Sequence, residues 1–189
     1  MLQHPVMHHA HRHEPPPGHG FLVRSFQPDD QPEVWRLYHR GLLAGHVDPY
    51  DPAADLDRIE EFYIGSPHRH FWVAEAFGKV VGTVAIAEEE DGVAHLRRLR
   101  VAPEWQDKSH VAVGLIKTAT AHAREHGALK LIFHTPVDDT RAKDLLGRLG
   151  FHFARIREIN GRQLLEFYVD LYERMDGEDD MDAADFPLQ

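Results

Sequence analysis

The sequence predicts an α/β domain built on a mixed, mostly antiparallel central sheet flanked by helices on both faces. Three observations carry this reading. Two β-rich pairs of runs are joined by short turns, Phe77-Gly78-Lys79 and Asn160-Gly161, which favour antiparallel hairpins. Between them, strand, helix, strand, helix follow in succession, an order that calls for a parallel crossover. Apolar residues recur at period two in the strands and at 3.6 in the helices.

In chain order, Phe21 to Phe26 alternates as a first strand. Asp30 and Gln31 before Pro32 resemble a helix cap followed by proline in the first turn, and Val34, Leu37, Tyr38 and Leu42 carry that helix to about Leu43. Asp48, Pro49, Asp51 and Pro52 then break the chain. A second helix is expected through Leu56, Ile59 and Tyr63. Phe71 to Ala76 and Val80 to Ala87 form a hairpin, and Val93 to Val101 a third strand of that group. In this last run Leu96 has one parity while Leu99 and Val101 have the other. Either both faces are covered or the strand carries a bulge.

Pro103 ends that strand, and Val111, Leu115, Ala119 and Ala123 mark a helix stopped by Gly127. Leu129 to Thr135 is a strand with Leu129, Leu131 and Phe133 on one side. Ala142, Leu145, Leu146 and Leu149 form an amphipathic helix closed by Gly150, and the Asn160-Gly161 hairpin finishes the domain. The order is β-α-α-β-β-β-α-β-α-β-β, over residues 21–172.

At 189 residues the chain has room for one domain with a full core. It contains no cysteine, which excludes disulfides, thiolate nucleophiles and cysteine-ligated metal, and fits a reducing, cytoplasmic setting. Without a signal-peptide pattern or a long apolar run, it is expected to be soluble and not membrane-bound. Residues 173–189 hold seven acids against one arginine, −6 of the formal −10, and read as a solvated acidic tail. No basic field remains for a nucleic-acid backbone. Residues 1–20 hold six of the sixteen histidines and Pro15-Pro16-Pro17. They read as an unstructured leader, or as a weak transition-metal binder, with no carboxylate frame to define a metal site. Oligomeric state is open, a homodimer included.

The run Leu96-Arg97-Arg98-Leu99-Arg100-Val101-Ala102-Pro103-Glu104-Trp105-Gln106 leads into an amphipathic helix, and Asp139-Thr140-Arg141-Ala142 leads to Leu149-Gly150-Phe151. Together they resemble the GNAT acetyltransferase family, whose L-x-x-L-x-V-x-P-E strand end opens into an acetyl-CoA loop and whose N-x-x-A…L-G-F segment follows at the same spacing. The resemblance spans 21–172 and implies an N-acetyltransferase moving acetyl from acetyl-CoA to a primary amine of a small molecule or peptide. It also implies cofactor contacts from Leu99, Arg100 and Val101, from the loop Gln106, Asp107, Lys108, Ser109, His110 and Val111, and from Asp139.

In the family, loop amides at a helix start hold the pyrophosphate. Gln106 matches the family's pattern, whereas Ser109 and Val111 replace its small positions, and the β-branched Val111 is expected to fill space where phosphate oxygens rest. Asp107 adds an anion there that Lys108 and His110 partly offset. His95 stands where the family often has a glutamate base and can take its place. His134 lies near the C-terminal end of the next strand, where open α/β sheets hold ligands. For both histidines a role in packing alone stays open. Leu146 occupies the place of the family's frequent tyrosine acid, and Asp139 that of its asparagine. Arg97, Arg98 and Arg100 either guide an anion or form a solvated face. Trp72, Trp105 and Tyr38 read as packing residues. The alternative is a catalytically impaired GNAT-fold ligand-binding or regulatory protein with a degenerate cofactor loop.

Overall fold

The computed structural model describes residues 20–40, 53–88, 90–106, 110–159 and 161–172. The expected leader (apart from Gly20), the acidic tail, the end of the first helix, Asp107, Lys108, Ser109 and Asn160 lie outside the described residues.

The elements are β1 (Leu22–Ser25), α1 (Gln31–Arg40), α2 (Ile59–Tyr63), β2 (Arg69–Ala76), β3 (Lys79–Glu88) and β4 (Val93–Val101), then α3 (His110–Glu125), β5 (Lys130–Pro136), α4 (Thr140–Arg148), β6 (His152–Ile159) and β7 (Arg162–Asp170). This is the predicted order. The second helix is a single α-helical stretch preceded by a 3-10 turn at Leu56–Arg58. The strand expected from Leu129 begins at Lys130, and Leu129 itself is exposed outside the core.

Seven strands form one sheet in the order β1-β2-β3-β4-β5-β7-β6. Every neighbouring pair is antiparallel except β4 and β5. The β2–β3 turn places Phe77 and Gly78 at φ of 50° and 73°, the left-handed geometry that matches the twist of a two-residue hairpin.

The parity change in β4 is a bulge. Ala85 pairs with Arg97 but Thr83 with Arg100, so β4 carries one extra residue, and Arg98 takes a φ of 54°. The extra residue returns Leu99 and Val101 to the face of Leu96, where all three are buried. Thr83 Oγ1 donates to the Arg98 carbonyl at 2.8 Å, which holds the bulge in place.

Gly82 pairs with Val101 and lies under Val111 and Leu115 of α3. Arg100, one residue along and therefore on the opposite face, lies over the Tyr38 ring of α1. Helices thus cover both faces of the central strands. Val34, Leu37, Tyr38, Ile59 and Tyr63 supply the core from α1 and α2, and Val111, Leu115, Ile116, Leu145 and Leu146 supply it from α3 and α4. β6 is the outer edge and is exposed along its length.

Candidate active site

Parallel pairing between β4 and β5 runs from Val93–Lys130 to Leu96–Phe133 and ends there. β4 continues to Val101 along β3, and β5 continues to Pro136 along β7. The two strands therefore part into a wedge that opens at their C-terminal ends. The bulge at Arg98 lies where the parting begins and re-aims the strand. Backbone between parting strands has lost its ladder partners, so the wedge is lined by groups available to an extended polar ligand. Among the described residues, Thr135 Oγ1 on β5 and Gln106 Nε2 beyond β4 are buried side-chain atoms that find no hydrogen-bond partner. Such atoms call for an explanation, and a ligand bearing amides and carbonyls would give one. The Gln106 carboxamide oxygen accepts from Arg141 at 3.1 Å, joining the loop after β4 to the first turn of α4.

Of the expected cofactor residues, Leu99 and Val101 are buried toward α3 and present only backbone to the wedge. Arg100 is buried, donates to the Leu99 carbonyl at 3.0 Å and stacks its guanidinium on Tyr38. His110 is exposed at the start of α3. Val111 is fully buried, with its Cγ1 against Gly82. The bulk of that valine is therefore directed into the core beneath β3. Asp139 caps α4, accepting from the Ala142 amide at 2.9 Å, so its charge is used at a helix start. Leu146 is a core residue.

On the sheet face shared with α1 and α2, the two expected histidines come together. The rings of His95 and His134 are nearly parallel, with centres 5.9 Å apart. The carboxylate of Glu166, on β7 opposite His134, lies 3.1 Å from His134 Nε2. An ionised carboxylate only accepts, so His134 carries its proton on Nε2, and Nδ1 bears the lone pair when the ring is neutral. Glu166 is 3% exposed, and it also accepts from Arg155 Nε at 2.9 Å and from Arg157 at 3.1 Å. Burial alone would push this carboxyl up. The His134 and Arg155 hydrogen bonds and the guanidinium charges outweigh it, and the carboxyl lies below its usual value.

A second polar cluster lies on the same face. Asp55 receives the Arg98 guanidinium, with Nε to Oδ2 at 2.8 Å, and the Tyr63 hydroxyl. Burial and that hydrogen bond hold the Tyr63 hydroxyl well above its ordinary range. The guanidinium groups of Arg98 and Arg100 lie 5.6 and 5.5 Å from the Tyr38 ring centre. Tyr38 is thus more than a packing residue. Glu166, Arg155, Arg157 and Asp55 were not legible as site residues, because only the β5-β7-β6 order and the fold of α2 bring them to the histidines and to β4.

Among the described residues no cluster of metal-ligating side chains is set to hold an ion, and no helix is long and apolar enough to cross a membrane.

The model of the acetyltransferase (GNAT) family matches residues 28–151. The chain is 31% identical over 122 residues to an N-acetylaspartate synthetase of Xenopus tropicalis, a match covering 64% of this chain and 44% of that protein. It is 31% identical over 101 residues to the human N-acetyltransferase 8B, covering 51% of this chain and 44% of that one. The chain thus spans less than half the length of these relatives. An acetyltransferase structure from Staphylococcus aureus superposes with a TM-score of 0.70 at 15% identity, covering 80% of this chain and 99% of that one. The ribosomal-protein-S18-alanine N-acetyltransferase of Escherichia coli gives 0.65 at 16%, covering 83% and 97%. At these identities the structures establish the shared fold alone.

Proposed function

Because the chain belongs to the GNAT family of acetyltransferases, we propose that it transfers an acetyl group from acetyl-CoA to a primary amine, with His95 as the base. The observation that carries this reading is the placement of His95 and His134 beside the point where β4 and β5 separate. In this reading the wedge receives the pantetheine arm along the backbone of Leu99 to Val101. Gln106 and Thr135 offer it hydrogen bonds, and the loop from Gln106 to Val111 takes the pyrophosphate. The buried position of Val111 supports that assignment, since its side chain turns into the core, away from the exposed start of α3.

Bound acetyl-CoA supplies an activated acyl carbon attached to sulfur. The amine arrives as an ammonium ion, and the His95 imidazole removes one proton so that the nitrogen lone pair can attack that carbon. The N–C bond forms as the C–S bond breaks, the nitrogen releases its second proton to solvent to give the neutral amide, and the leaving thiolate takes up a proton from solvent in turn. No side-chain acid is required for so good a leaving group, which agrees with the leucine at position 146. Glu166 holds the His134 imidazole against that of His95. The rest of the catalysis is alignment of amine and thioester, with backbone amides of the wedge polarising the carbonyl.

The test is acetyl transfer by the full chain, followed as thiol release with a panel of primary amines. Release that requires both acetyl-CoA and amine supports the reading. Binding of acetyl-CoA without turnover of any amine would favour a ligand-binding or regulatory protein instead.

A further inference from the structure

The arrangement around Glu166 specifies more than a base. One buried carboxylate receives three donors: His134, Arg155 and Arg157. With the imidazole neutral, two guanidinium charges face one carboxylate, so the cluster keeps a surplus positive charge. Arg155 donates through Nε and Arg157 through one terminal nitrogen, which leaves further N–H groups on each. Both side chains are well exposed, at 62% and 46%, so those donors reach solvent. A buried carboxylate needs a partner, but one bidentate arginine would serve. The second arginine and the open donors are left over.

Their position gives the surplus a use. Cross-strand partners share a sheet face, and His134 pairs with Glu166, which pairs with Arg155. Arg157, two residues along β6, is on that face as well. His134 Nε2 and the donating nitrogen of Arg157 each lie 3.1 Å from the same oxygen of Glu166. They are therefore no more than about 6 Å apart, the sum of two hydrogen-bond lengths. An amine held at the histidines would have its own substituents, three or four bonds away, at the arginines. Glu166 fixes both guanidinium groups before any ligand arrives, so little ordering is left to be done on binding.

We propose that the acceptor is a small amino carboxylate, an α- or β-amino acid, whose carboxylate is bound by Arg155 and Arg157 while its amine lies against His95 and His134. This rests on the acetyltransferase reading above and adds to it the acceptor class and the residues that select it. A lysine ε-amine in a peptide would not satisfy the geometry, because its nearest carboxylate or carbonyl is too many bonds away.

Two measurements on the full chain test this separately from the transferase reading. The first compares acetyl transfer to an amino acid and to its α-carboxamide, alanine against alaninamide and asparagine against asparagine α-amide. The expected kcat/KM favours the free acid by about tenfold or more, and Arg155→Gln or Arg157→Gln brings the ratio toward one, while Arg157→Lys keeps part of it. Equal use of acid and amide by the wild type, or an unchanged ratio in both glutamine variants, overturns the proposal and leaves the transferase reading standing. The second measures thermal stabilisation by the same compounds without acetyl-CoA. The acids are expected to raise Tm and the amides not. Stabilisation by both alike, or by neither at saturating concentration, also overturns it, whether or not transfer is found.

Discussion

The imidazoles of His95 on β4 and His134 on β5 lie nearly parallel with centres 5.9 Å apart, at the rungs where the two strands cease to pair. Two titratable rings at the mouth of a wedge, one oriented by a buried carboxylate, form an arrangement that proton chemistry can use. His95→Ala is expected to lower kcat by about 10²- to 10⁴-fold, the usual share of a general base, and to flatten the limb of the pH–rate profile that reports its deprotonation. A kinetic pH series checks this, and unchanged kinetics would remove His95 from the mechanism.

Glu166→Gln acts through His134 and the arginines. The amide cannot accept from three donors, and its NH2 group would be turned toward a guanidinium or the imidazole N–H. Loss of the orienting hydrogen bond is expected to reduce kcat/KM by about tenfold, corresponding to ~1.4 kcal/mol. Because the Glu166 carboxyl titrates lower in the folded chain than unfolded, it contributes stability that is present above the ordinary carboxyl value and is lost as pH falls through the folded one. The variant should show a shallower acid limb in Tm measured against pH.

How much of this the sequence announced depends on distance along the chain. The parity of Leu96, Leu99 and Val101, three residues of one strand, called for a bulge or for two covered faces, and the strand has both. The last hairpin was written in Asn160-Gly161, and the α3 and α4 faces in their apolar spacing. Glu166 carried only a local hint, an acid between Leu165 and Phe167 in a strand with buried positions. Its partners are 32, 11 and 9 residues away and meet it only because β7 inserts between β5 and β6. The direction of the Val111 side chain was hidden for a related reason, since the helix begins at His110 and turns that side chain toward Gly82 on β3, a neighbour distant in sequence.

Gly82→Ala tests that packing. A Cβ at this position would lie 2.9 Å from Leu115 Cδ1, 3.0 Å from Val111 Cγ1 and 3.1 Å from the Arg100 carbonyl oxygen. The two side chains are fully buried and have little room to give, and the backbone oxygen belongs to the wedge strand. A loss of about 1–3 kcal/mol is expected in denaturant unfolding, together with weaker acetyl-CoA binding than in a control that trims α3 on its exposed side, such as Lys117→Ala. Wild-type stability in Gly82→Ala would contradict the close approach of α3 to β3.

A second histidine cluster sets an acid limit on the fold. His70 and His122 lie with ring centres 5.4 Å apart beside Trp72, and the His126 ring lies 4.0 Å from that of His122, tilted by 32°. His122 Nε2 donates to the Pro67 carbonyl, His70 Nε2 is hydrogen-bonded to the Ser25 hydroxyl, and His68 with Glu88 stands nearby. Burial first, and then the neighbouring histidines, lower the titration of both His70 and His122 below the ordinary 6.5. Below that pH the unfolded chain gains protons that the folded one refuses, so stability should fall as pH drops from about 6.5 until the folded values are passed. His70→Gln combined with His122→Gln should flatten this part of the Tm profile. A wild-type profile that stays level from pH 7 to 5 would contradict the cluster's role.

The claim on which the functional account turns is that the wedge between β4 and β5 and the loop from Gln106 to Val111 still accept acetyl-CoA. Isothermal titration of the full chain with acetyl-CoA tests it most directly. A single site of micromolar affinity is expected, and no heat at millimolar ligand would contradict it.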